Sequence, residues 1–166
     1  GEDEAGFLPS KYLGLGGIEA WGRGGGWSWR GYAEYAKTAC DFARSRPLYG
    51  CAYESSIYTD GYRYRGRPIG HAWDRDGRGV TVGVVANRDR WSVDARAYDV
   101  DLNLADAGAK HSLATERASL RGFEAATTLT TRQWRLRVGA GYDDPRGPRV
   151  AVDSGAKLFV EWRTRL

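Results

Sequence analysis

The residues best equipped for chemistry lie in one stretch of the chain. It reads Cys51-Ala52-Tyr53-Glu54, then Ile57-Tyr58-Thr59-Asp60-Gly61-Tyr62-Arg63-Tyr64-Arg65-Gly66-Arg67-Pro68-Ile69-Gly70-His71-Ala72-Trp73-Asp74. Guanidinium groups and carboxylates offer hydrogen-bond forks to sugar hydroxyls and uronate groups. Aromatic faces offer flat apolar surfaces on which a sugar ring can stack. Tyr62, Arg63, Tyr64, Arg65, Arg67 and His71 are therefore candidate carbohydrate contacts. The arginines would act as charge clamps, the tyrosines as stacking platforms and His71 as a hydrogen-bonding group. The same residue types also suit a rigid loop that plugs or caps a barrel, its arginines paired internally. Both readings are open at this level.

Other chemistries find less support. Asp74-Arg75-Asp76-Gly77 begins like a calcium loop, but the remaining ligands and the closing glutamate are missing, and a solvated hairpin turn is the expected state. His71 beside Asp74 is half of a catalytic pair with no serine in a nucleophile-elbow context, so no enzyme is expected. The glycine clusters at Gly14-x-Gly16-Gly17 and Gly24-Gly25-Gly26 sit in no strand–helix context, which removes a phosphate-loop reading. Two cysteines and two histidines, His71 and His111, make a poor zinc set, and no metal or other cofactor is expected. Cys40 and Cys51 instead bracket a short loop that a disulfide can close, which fits an oxidising envelope compartment.

The elements that must carry this loop alternate between apolar and charged positions. In the C-terminal run, Ala156, Leu158, Val160, Trp162 and Leu166 fall on one face of a strand, and Lys157, Glu161, Arg163 and Arg165 on the other. Trp134, Leu136, Val138, Ala140 and Tyr142 alternate with Arg135, Arg137, Gly139, Gly141 and Asp143. Similar runs cover 27–36, 91–97 and, more weakly, 80–87; 120–130 reads as a strand from its threonines, and the glycine-rich 12–21 is a seventh candidate. Each run approaches the ~9–11 residues that a tilted strand needs to cross a bilayer. Trp27, Trp29, Trp91, Trp134, Tyr142 and Trp162 cluster near strand ends, as interfacial girdles require. Connections alternate too: 87–90 and 130–133 are tight, whereas 61–79 and 104–117 are long, the asymmetry of short periplasmic turns and longer outer loops.

The pattern predicts an all-β fold, an antiparallel transmembrane β-barrel of about eight strands in this chain, either complete or part of a larger barrel. Residues 1–166 form a single domain with a long cysteine-containing loop region at about 38–78. If 38–78 is one outer excursion, the strands number seven and need a partner, because a bilayer does not tolerate unpaired edges. If 52–60 is itself a strand, there are eight and closure is possible, with a lumen filled by arginine–carboxylate contacts. A mean hydropathy of −0.57 does not oppose membrane residence, since a polar lumen face dilutes it. The formal charge of +4 invites nucleic acid, but the arginines alternate along strands beside acids, and no recognition helix or ribonucleoprotein-type strand motif is present. No secretory signal is visible and methionine is absent, as expected of a mature form or of a piece of something longer.

A resemblance adds to these readings. Gly26-Trp27-Ser28-Trp29, Glu34-Tyr35, Thr38-Ala39-Cys40-Asp41-Phe42, Cys51-Ala52-Tyr53-Glu54, Tyr58 and Gly61-Tyr62-Arg63-Tyr64-Arg65-Gly66-Arg67-Pro68-Ile69-Gly70-His71 resemble the C-terminal part of the capsule-assembly Wzi family. Val100-Asp101-Leu102-Asn103 and Phe159-Val160-Glu161-Trp162 share in it. The resemblance implies a Gram-negative outer-membrane barrel that holds acidic capsular polysaccharide at the cell surface. Its implied partners are that polysaccharide, outer-membrane lipid, and a missing barrel half or a second copy. Family members are longer, with an N-terminal barrel portion and a helical extracellular element. This chain also has Ala72 where the family carries a small polar residue after Gly-His, and it runs past the usual terminal phenylalanine to Leu166. The alternative is a small structural or pore-type outer-membrane barrel without a glycan site.

Overall fold

The computed structural model describes residues 13–40, 49–53, 63–64, 67–68, 70–106 and 111–164. These build seven long strands: β1 (Gly14–Gly24), β2 (Trp27–Lys37), β5 (Arg78–Arg88), β6 (Trp91–Leu102), β7 (Ala118–Thr130), β8 (Trp134–Arg146) and β9 (Gly155–Thr164). Two short strands, β3 (Arg63–Tyr64) and β4 (Arg67–Pro68), form a separate hairpin. Every pairing is antiparallel, and the large sheet runs β1-β2-β5-β6-β7-β8-β9 as an uninterrupted meander. No helix occurs among the described residues.

The expected strand count changes here. β2 pairs directly with β5, Tyr35 opposite Val80 and Gly31 opposite Val84, so nothing from 38–77 is inserted between them. The sheet therefore has seven strands rather than about eight. Of the proposed extra strand 52–60, Ala52 and Tyr53 form a bend, and the rest lies outside the described residues. The sheet is also open, with β1 paired only to β2 and β9 only to β8.

Register keeps the alternation in phase across all seven strands. Trp91, Leu129, Leu136 and Trp162 stand opposite one another in turn, and so do Ala97, Phe123, Tyr142 and Ala156. One face of the sheet is thereby apolar. Leu158, Val160, Val138, Val82 and Val84 are all exposed on it, Leu158 at 85%. A soluble fold does not leave a continuous apolar face of this extent in water. Trp29, Trp91, Trp134 and Trp162 line its margin at one end of the strands, with the Trp134 and Trp162 rings stacked 4.8 Å apart. Tyr35, Phe123 and Tyr142 line the margin at the other end.

The opposite face is polar and cross-paired. Arg137 Nη2 reaches Asp94 at 2.9 Å and Glu124 at 3.5 Å, while Arg96 reaches Glu124 at 3.4 Å. Lys157 Nζ lies 2.5 Å from Asp143, and Arg30 Nη2 lies 2.7 Å from Glu19. Tyr98 donates a short hydrogen bond to the Asp143 carboxylate. Gly122 makes that bond possible: a Cβ there would sit 2.6 Å from the Tyr98 hydroxyl oxygen. β1 departs from the pattern, since Leu15 and Trp21 share the polar face and are 67% and 71% exposed.

Connections differ by end. At the tryptophan end, Gly25 and Gly26 turn with φ of 58° and 78°, the mirror-image turn that suits a two-residue hairpin. Asp89-Arg90 is equally short. Between β7 and β8, the Thr131 hydroxyl accepts the Trp134 N–H at 3.0 Å. All the long connections, 38–77, 103–117 and 147–154, gather at the opposite end.

Candidate functional site

The three long connections converge over the polar face. Val100, Leu102, Ala118 and Leu120 project from that face at the long-loop end and form a small buried cluster with Ala114. Trp73, Leu113, Val150 and Val152 close over it, one connection supplying the first, another the second and the third the last two. The connections are cross-linked as well: Ala114 bridges Val150, and the Ala151 N–H donates to the Leu113 carbonyl at 2.7 Å. The result is a cap seated on the mouth of the sheet.

A buried polar knot anchors the long excursion to this cap. Asp74, Asp76 and Asn103 are wholly buried. Asp76 accepts the Gly50 N–H on both carboxylate oxygens at 3.0 Å, and its carbonyl accepts the Leu104 N–H at 2.8 Å. Asp74 accepts the Ser112 N–H at 2.6 Å and the Arg75 N–H at 2.8 Å. Thr38 and Gly77 exchange hydrogen bonds across the root of the excursion, the Gly77 N–H donating to the threonine hydroxyl at 2.9 Å. Asn103 donates to the Ala114 carbonyl at 3.0 Å, and His111 Nδ1 accepts the Leu113 and Ala114 N–H groups. The expected solvated turn at Asp74-Arg75-Asp76-Gly77 is thus corrected: the two carboxylates are interior acceptors that satisfy loop amides which would otherwise be buried unpaired. Asp74, Asp76 and Asn103 all have positive φ, at 62°, 52° and 48°, a conformation that short polar side chains tolerate.

Cys40 and Cys51 are bonded to each other, with Cα atoms 6.1 Å apart, and Cys40 is buried. The bond closes 41–50 into a ring at the base of the excursion. One residue along, Gly50 holds Asp76, so the ring is fastened directly to the knot.

The candidate carbohydrate contacts divide between the root of the excursion and the small β3–β4 hairpin midway along it, its tip in chain order. At the root, His71 Nδ1 accepts the Trp73 N–H at 3.3 Å, its ring meets Trp73 edge-on at 4.5 Å, and its backbone N–H donates to the Tyr53 hydroxyl at 2.8 Å. Burial holds its pKa below the ordinary imidazole value, with Glu34 of β2 opposing. An acceptor Nδ1 fixes the neutral tautomer with its proton on Nε2. His71 and Asp74 are joined through backbone, the Asp74 N–H donating to the His71 carbonyl, while the Asp74 carboxylate serves Ser112 and Arg75. At the tip, Arg63 stands opposite Pro68 and Tyr64 opposite Arg67 in the β3–β4 hairpin. Tyr64 is exposed at 64%. Tyr62 and Arg65 lie outside the described residues. Among the described residues no group of three or more metal-ligating side chains comes together.

Reading the sequence missed the knot. The signal was there in Asp74, Asp76 and Asn103, three short polar residues at loop ends, but nothing local says that they will be buried.

The family model described as "Capsule assembly protein Wzi" matches residues 1–156. Among solved structures, the chain is similar to Wzi, an outer-membrane protein involved in group 1 capsule assembly in Escherichia coli and described as a carbohydrate-binding β-barrel. The TM-score is 0.79 at 28% identity, over 96% of this chain and 35% of that one. The chain thus spans about a third of the length of that protein. No curated protein sequence matches.

Proposed function

This chain belongs to the Wzi capsule-assembly family, and on that premise we propose that it is a lectin-like part of an outer-membrane barrel that holds extracellular polysaccharide, acidic capsule in particular, at the cell surface. Family membership gives the Gram-negative outer membrane as its location. The apolar face then meets lipid, the polar face lines the lumen, and the short turns face the periplasm. The long-loop end faces outward, which is where a capsule must be held.

The observation that carries the proposal is the division of labour in the excursion. Its root is spent on structure, with Asp74, Asp76, Trp73 and the disulfide buried in or fastened to the cap. Its tip presents exposed Tyr64 in a hairpin whose sequence is dense in tyrosine and arginine. Tyr62, Arg63, Tyr64, Arg65 and Arg67 are the proposed contacts, the arginines clamping carboxylates or hydroxyls and the tyrosines stacking on sugar rings. His71, at the base of the tip, supplies an Nε2–H donor. The chemistry is binding rather than turnover. The open edges of β1 and β9 are paired in the assembled barrel, by further strands or by a second copy.

The test replaces Arg63, Arg65 and Arg67 with alanine together in the full-length protein. Glycan retention on cells should fall sharply while heat-modifiable gel mobility shows a folded barrel. Unchanged retention in a folded barrel would sink the proposal. Ion conductance in planar bilayers, together with unchanged retention, would support the pore-type alternative.

A further inference from the structure

A second binding surface lies on the apolar face, away from the cap. Small residues leave a shallow furrow of about 510 Å³, floored by Val82, Val84, Ala95, Ala97 and Ala125 and walled on one side by Phe123. Its lining is almost wholly apolar and it opens sideways, into what the family's location makes the membrane. At its long-loop end the same face changes character within one register step. Ala97 and Phe123 are followed by Asp99 and Arg121, which stand opposite each other, and then by Asp101 opposite Arg78. Arg121 Nε lies 3.0 Å from Asp99, and Arg78 Nη2 lies 2.8 Å from Asp101. Arg146 and Asp144 extend the belt on β8 at 2.9 Å.

The two features are continuous, a trough for a hydrocarbon chain ending beneath two guanidinium groups that flank the β6 strand. The arginine side chains are about half exposed, at 46% for Arg78 and 56% for Arg121, so each can turn from its aspartate to a second anion. Exposed ion pairs of this kind are weak and exchange partners at little cost. Guanidinium matches phosphate in a bidentate fork. The belt also sits at the outer edge of the apolar band, at headgroup depth rather than mid-membrane. We infer that this furrow and its arginines seat one phosphorylated glycolipid of the outer leaflet, an acyl chain against Ala95 and Ala97 and a phosphate between Arg78 and Arg121. The inference rests on the outer-membrane location and is independent of what the outer loops bind.

The test uses the full-length protein reconstituted in phosphatidylethanolamine vesicles, with or without a bisphosphorylated, acylated glucosamine lipid, then extracted in mild detergent for native mass spectrometry. Wild type should retain one glycolipid. R78Q/R121Q should retain about tenfold less through loss of the charge-assisted contacts, and A97W, which fills the furrow on an exposed face, should do the same. Inorganic phosphate in place of the lipid should not be retained. Equal retention by wild type and A97W, or equal retention of phosphatidylethanolamine, would overturn the inference. If R78Q/R121Q fails to fold, A97W decides alone. Capsule retention is read on the same variants and should be unchanged, so failure here is distinguishable from failure of the polysaccharide proposal.

Discussion

The Asp76 carboxylate receives the Gly50 N–H on both of its oxygens, each at 3.0 Å, and so ties the disulfide ring to the strand root more than twenty residues away. The carboxylate is wholly buried, and Arg75 Nε lies 3.9 Å off. It is therefore part of what orders the excursion that carries the candidate binding tip.

Replacing Asp76 with alanine should release that excursion while leaving the sheet paired. Losing a buried hydrogen bond to a charged group costs about 1.5–3 kcal/mol. Hydrogen exchange should show Gly50 and its neighbours opening tenfold or more faster, with the amides of β6, β7 and β8 unchanged. Unchanged exchange at Gly50 would refute the assignment.

Reduction of Cys40–Cys51, or replacement of both with serine, should act on the same segment. The chain-entropy model gives about 3 kcal/mol for a ring of this size. Limited proteolysis should cut within 41–50 at least tenfold faster, and heat-modifiable mobility should persist. Loss of the folded band would mean that the disulfide supports the sheet as well.

His71 predicts a pH dependence. Its folded pKa lies below the ordinary value because burial disfavours the imidazolium. The unfolded loop consequently binds more protons, and loop stability falls as pH drops below about 6.5 towards the lowered value; above about 6.5 it is flat. Hydrogen exchange across 70–77, corrected for intrinsic rates, should show more opening at about pH 5.5 than at about pH 7.5. His71→Gln should remove the difference. An opposite slope would contradict the burial of the imidazole.

Gly122→Val should disturb the polar face. The added side chain would meet Tyr98 and Asp143 where they share their hydrogen bond. Overpacking of this kind costs about 1–3 kcal/mol. The barrel should unfold at lower temperature in a gel-shift series, and Gly122→Ala should lie between the variant and wild type.

Much of the sheet was legible because each strand carries its own evidence. The period of two in Trp134–Tyr142 or Ala156–Trp162 assigns a lipid-type face and a charged face without knowledge of any neighbour. Hence the expected 27–36 and 120–130 lie within two residues of the observed β2 and β7, and the expected 91–97 falls inside β6. β1 was the least secure, and its glycines and reversed Leu15 and Trp21 show why. The tip residues were legible as types, since tyrosine and arginine between glycines announce themselves. Their division from His71 was not, because Trp73 claims its imidazole and the Tyr53 hydroxyl its backbone N–H only after the chain has folded back.

What the sequence by itself determined was the strand pattern, the end at which long connections gather, the cysteine pairing and the family. These are local properties, or depend on spacing within one segment. Only the tertiary structure decided that 38–77 is a single excursion between paired strands, and that Asp74 and Asp76 are interior rather than solvated. It alone joined Arg137 to Asp94 and Glu124 across three strands. The physical reason is the same in each case. Burial and long-range charge pairing depend on which segments meet, and here connections from 38–77, 103–117 and 147–154 meet over one mouth of the sheet. No window of sequence contains all three.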